Sequence, residues 1–218
     1  MKHRVFASGC ALMIYKPELA KKLHVMLNKE FGEMGLLTTC CRHDPGFEVA
    51  TEIVNVCPGC DKRFGSLYAN TTTVSLWELL AESELFPFPD YAGESMTILD
   101  ACPTREKPEI HDAIRTLLQK MNIRLMEPEK TRTKSTCCGD SFYPQLPVEK
   151  VNELMKKRTA EMPLEDVVVY CVSCIQSVGI GGKNPRYLPD LLMGLETNMT
   201  VRPTDVWHEE LEEYIEKH

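Results

Sequence analysis

The chain has 218 residues, 43% hydrophobic and 26% charged, which excludes a disordered segment and is enough for one large domain or two small ones with buried cores. A formal charge of −7 excludes a general nucleic-acid binder, which needs a basic surface. No apolar run approaches the length of a membrane-spanning helix, so no membrane insertion is expected.

Residues 3–9 read as a strand running into a loop at Cys10. The small residues before Cys10 faintly resemble a lipoprotein cleavage site. Only four residues separate Arg4 from Gly9, too few for the apolar core of a signal peptide, so a cytoplasmic location is expected. Residues 17–32 carry Leu19, Leu23, Met26, Leu27 and Phe31 at helical spacing, with Pro17 suited to a first turn. A short strand over 52–56 delivers Cys57, whose C-x-x-C opens a helix, and 71–86 reads as a strand and a helix. The stretch 87–95 holds two prolines and a glycine and is the expected boundary, giving repeats over 1–90 and 91–218.

Beyond it the order recurs. Residues 96–101 form a strand ending at Cys102, and 108–122 a helix with Ile110, Ala113, Ile114, Leu117, Leu118 and Met121 on one face. A strand over 123–127 precedes Cys137–Cys138, a helix covers 147–162, and a strand over 165–170 delivers Cys171. The tail 204–218 reads as an amphipathic helix capped by Thr204 or Asp205. The alternation predicts an α/β fold of two tandem repeats, with mainly parallel sheets flanked by helices. Sites in such folds form at the carboxyl ends of strands, where Cys10, Cys57, Cys102 and Cys171 fall.

The ten cysteines repeat one pattern: a single cysteine, an adjacent pair, then C-x-x-C. Cys10, Cys40, Cys41, Cys57 and Cys60 form the first set; Cys102, Cys137, Cys138, Cys171 and Cys174 form the second. Disulfides consume thiols in pairs, so five per repeat is awkward for bridging. Tetrahedral zinc and an ordinary cubane cluster each take four ligands. A fifth thiolate is therefore either a spare or the mark of an unusual cluster, and all ten are candidate metal ligands.

"LDAC", "STCCGDSF" and "VVVYCVSC" in the second repeat, with "TTCCRHDPG", "VNVCPGC" and "VSLWELLAE" in the first, resemble the cysteine-rich CCG domain family. That family is best known from the catalytic B subunit of heterodisulfide reductase. The resemblance implies two copies related by a pseudo-twofold axis, each five-cysteine set holding a noncubane [4Fe–4S] cluster. It implies reduction of a small disulfide, one electron from each cluster, supplied by an iron–sulfur or flavin protein. Three departures stand out. Arg42 replaces the glycine after the first pair, Leu99 stands where the family often has histidine, and 15 residues separate Cys41 from Cys57 against 32 between Cys138 and Cys171. The first copy is thus expected to lack a helix equivalent to 147–162, and zinc is the alternative metal there.

Cations flank the thiols: Arg42, His43, Lys62, Arg63, Arg105, Lys107, Lys130, Arg132 and Lys134. They suit an anionic cluster or substrate, although Asp44, Asp61, Glu106 and Asp140 share the same loops. His43 reads as a hydrogen-bond donor or a solvated side chain before a ligand, and Met13 as core filler. Gly179, Gly181 and Gly182 follow a helix instead of opening one, which argues against a phosphate loop. The functional alternative to an oxidoreductase is an electron-transfer or assembly subunit of a larger redox complex.

Overall fold

The computed structural model describes residues 3–218, and in it the chain divides into two compact units. The first runs up to Phe86 and takes in Glu210–His218; the second is Pro87–Glu209. The division falls at the start of the proline-rich stretch, not at residue 90. The expected 91–218 grouping also fails at its end. Ile215 is buried with Val5, Ala7, Ile53 and Phe64, so apolar burial assigns the last residues to the first unit.

In the first unit β1 is His3–Ala7, α1 Cys10–Tyr15, α2 Pro17–Phe31, β2 Gly35–Leu37, β3 Thr51–Asn55, α3 Pro58–Leu67, β4 Thr71–Ser75 and α4 Leu76–Glu82. The four strands form one sheet in the order β2-β1-β3-β4, every pairing parallel. Ile53 and Val54 are fully buried, as strands covered on both faces require. Ser75 caps α4 with its side chain while Glu78 reaches back to the Ser75 N–H, which fixes the strand-to-helix turn.

In the second unit β5 is Ser95–Ile98, α5 Pro108–Lys120, β6 Arg124–Met126, α6 Val148–Ala160, β7 Asp166–Val169, α7 Val172–Ile180, β8 Asn184–Tyr187 and α8 Leu188–Leu192. Its sheet runs β6-β5-β7-β8, again all parallel. The two units therefore share one topology. Val167, Val168 and Val169 are fully buried, as is the apolar face of α5 at Ile114 and Leu117. The final helix, α9, is Thr204–Lys217. The Thr204 hydroxyl donates to Asn152 Oδ1 and so ties the start of this helix to α6.

Between β2 and β3 there is no helix, as the short spacing implied. Gly181 lies where an added Cβ would meet Thr159 Oγ1 at 2.4 Å, so this glycine serves helix packing. Among the described residues, no helix is long and apolar enough to cross a membrane.

Candidate metal centres

Each lone cysteine follows a strand. Cys10 opens α1 three residues beyond β1, and Cys102 starts a short 3-10 turn beyond β5. Gly9 precedes Cys10 at φ 77, and a Cβ there would meet Cys57 Cβ at 3.2 Å and Cys60 Sγ at 3.3 Å. The missing side chain lets this turn approach the C-x-x-C. Each C-x-x-C leaves a central strand and enters a helix: Cys57 stands at the N-cap position of α3 and Cys171 at that of α7.

The five thiols of each unit meet in one chain of side-chain contacts. In the first, Cys10 engages Cys40, Cys40 its neighbour Cys41, Cys41 reaches Cys60, and Cys60 reaches Cys57. In the second the order is Cys102, Cys137, Cys138, Cys174, Cys171. Both chains visit the same motif positions in the same sequence. The adjacent pair is the link between the lone cysteine and the C-x-x-C. A tight turn makes this possible, with the N–H two residues on donating to the first sulfur: Gly139 to Cys137 at 3.3 Å, and Arg42 to Cys40. All ten cysteines are free thiols.

These contacts polarise the thiols. Hydrogen bonds from Cys10 and Cys41 hold the Cys40 thiol down at about 2, with the Arg42 N–H and His43 helping. Cys137 is held far down in the same way, by Cys102 first and then Cys138, with Ser141 also contributing. Its Sγ lies 2.9 Å from Ser141 Oγ. Their partners move the other way: Cys10 and Cys102 are pushed up because each gives its hydrogen bond to that thiolate. Cys57 is lowered to about 7, by Cys60 first and then by backbone N–H groups of Cys60 and Gly59 at the start of α3, against the effect of burial.

Different frames hold the two sets of thiols. In the second unit Asp100, fully buried, accepts from Arg115 Nη1 at 2.7 Å and Nη2 at 2.8 Å, and from the Arg132 N–H at 2.7 Å. The Ser135 hydroxyl donates to its carbonyl at 2.7 Å, and Tyr170 OH to its carboxylate at 3.2 Å. Asp100 thus ties the Cys102 turn to the loop carrying Cys137. Sequence reasoning gave it no role beyond motif likeness, although an aspartate two residues before a candidate ligand was the available signal. Ser8 occupies the corresponding place before Cys10.

In the first unit the end of α9 braces the adjacent pair. The Cys40 N–H donates to the His218 carbonyl at 3.1 Å, His43 Nε2 meets the Ile215 carbonyl at 2.9 Å, and Arg42 pairs with Glu212 at 2.9 Å. The Cys41 carbonyl accepts from Arg63 Nε at 3.1 Å and Tyr68 OH at 2.8 Å. Of the expected cations, Arg42 and Arg63 are therefore structural, as is Arg105, which donates to the Ser135 carbonyl. Lys130 pairs with Glu161 and Arg132 with Asp112.

Among the described residues, no three His, Cys, Asp or Glu side chains gather around one point as a single bound ion requires. Five thiols strung in a chain would suit a polynuclear centre, in which different sulfurs would take different metal atoms. An iron–sulfur cluster fits that donor chemistry. No family model matches the chain, and no curated protein matches it.

Proposed function

We propose that the chain is an iron–sulfur oxidoreductase that reduces a small disulfide, with electrons from an iron–sulfur or flavin partner. One observation carries this reading: the same chain of five thiols is built twice, each at the strand ends of a parallel sheet. All ten cysteines would act as ligands to noncubane [4Fe–4S] clusters, one per unit. A cluster so held supplies electrons singly and an iron site with affinity for sulfur. The reaction is a disulfide plus two electrons and two protons giving two thiols, so two one-electron centres match its stoichiometry.

The residues of the chain supply geometry and access. Cys40, Cys41, Cys60, Cys138 and Cys174 are buried, whereas Cys10, Cys57, Cys102, Cys137 and Cys171 are partly exposed. A substrate would approach on the partly exposed side. Free thiols in this number suit a reducing compartment such as the cytoplasm.

The test is anaerobic turnover of small disulfides with a reduced viologen dye as donor. Turnover is expected from the native chain and is lost in both Cys41→Ser and Cys138→Ser. Cluster-loaded protein that turns over no disulfide would instead support an electron-transfer or assembly subunit. Full turnover in Cys41→Ser, with its first centre empty, would contradict the use of two centres.

A further inference from the structure

A cavity of about 240 Å³ opens beside Cys137 in the second unit. This is below the roughly 300–1,000 Å³ of drug-sized sites and equals about eight waters at about 30 Å³ each. The wall combines Cys137, the apolar side chains of Phe142 and Leu154, and the charged groups Lys130, Lys157, Arg158 and Glu161. Glu161 pairs with both Lys130 at 2.9 Å and Arg158 at 2.6 Å, so its one charge is shared between two cations. Lys157, on the exposed side of α6, has no ion pair among the described residues. With Cys137 as a thiolate, the wall is left with one net positive charge, carried by the unpaired Lys157.

Arg158 carries the second observation. It is 3% exposed, and its two terminal nitrogens are used by Glu161, the Lys130 carbonyl and Ser135 Oγ. Its Nε is buried with no hydrogen-bond partner. A buried guanidinium N–H without an acceptor is costly, and although that atom is closed to the cavity, an anion there would stabilise the guanidinium through its charge.

We propose that this cavity binds a small organic carboxylate of about eight non-hydrogen atoms, a size set by its volume. Lys157 holds the acid group, with the Arg158 charge behind it, and Phe142 and Leu154 cover a short apolar stem beside Cys137. That the ligand is the reducible substrate, or its product, rests on the redox reading above; the binding itself does not.

Hexanoate, its neutral counterpart hexanamide and inorganic phosphate are titrated calorimetrically into the protein, both iron-loaded and metal-free. Hexanoate saturates one site per chain, while hexanamide and phosphate bind at least about tenfold more weakly because each lacks either the charge or the stem. Lys157→Gln, an exposed change that leaves the fold intact, weakens hexanoate by about tenfold, the usual effect of losing one charge-assisted bond. Hexanamide binding as tightly as hexanoate, phosphate matching it, an unaffected Lys157→Gln, or no saturable binding would each overturn the proposal. Hexanoate binding to protein that takes up no iron would refute the cluster and leave this site standing. Iron-loaded protein that ignores hexanoate would do the reverse.

Discussion

Cys137 and Cys138 are neighbours in sequence, yet they face different partners: Cys137 turns to Cys102, and Cys138 to Cys174. The residue after them shows why the repeats diverge there. Gly139 has φ 113, and a Cβ on it would meet the backbone N of Met155 at 2.9 Å, so α6 rests directly on this turn. In the first unit that helix is absent, and Arg42 occupies the position with its side chain paired to Glu212. Gly139→Ala is therefore expected to lose about 3 kcal/mol by urea unfolding, through strain and overpacking together. Gly46→Ala has a positive φ of 64 but open space around it, and should lose only about 1 kcal/mol. Equal losses would contradict the packing account.

Asp100 makes a prediction in pH. Burial pushes its carboxyl up, but hydrogen bonds and charge from Arg115, with the Arg132 N–H, outweigh this and leave it below the ordinary range. A carboxyl lowered by folding stabilises fully above its unfolded value of about 3.9, and loses that contribution as pH falls through the folded value. The urea midpoint should accordingly fall on acidification below about pH 4, and Asp100→Asn should flatten that part of the profile. At pH 7 the variant should lose about 2 kcal/mol, because Arg115 keeps its pair with Glu127 but loses the buried one with Asp100. An unchanged midpoint at pH 7 would show that Asp100 does not hold the loops.

At the scale of elements, α9 has a double membership, with Thr204–Glu209 in the second unit and Glu210–His218 in the first. Its last turns cover Cys40 and Cys41, the thiols left without a counterpart of α6. Deleting 210–218 should raise the reaction rate of Cys40 and Cys41 with a thiol reagent by at least about tenfold, as burial and the Cys40 N–H bond are lost. Peptide mapping should find Cys138 and Cys174 still protected, and equal labelling at all four would contradict a local role. The amphipathic pattern of 204–218 was legible in the sequence, but its destination was not, since a hydrophobic stripe does not name the surface that it covers. The strand β8 gave no signal for a similar reason. Pro185 demotes Asn184–Tyr187 as a strand, and it is tolerated because β8 lies at the sheet edge. The three-residue strand β2 was too short for alternation to register.

Across the whole molecule, the repeat and its ten thiols were readable because their spacing is a covalent fact. The buried frame around Asp100 was not, because its partners lie 15 to 70 residues away and meet only after folding. The same distinction separates ligands from support in the account of function. If both adjacent thiols are ligands, Cys137→Ser and Cys138→Ser should each alter or abolish the visible absorption of the second centre. A variant with unchanged spectrum and iron would mark that thiol as a spare. The most direct test of the central claim is the anaerobic content of iron and acid-labile sulfide per chain. Two clusters of four irons predict about eight irons and matching sulfide in a brown protein. About four irons with one zinc would confine the cluster to one unit. Stoichiometric zinc without iron, in a colourless protein, would contradict the account.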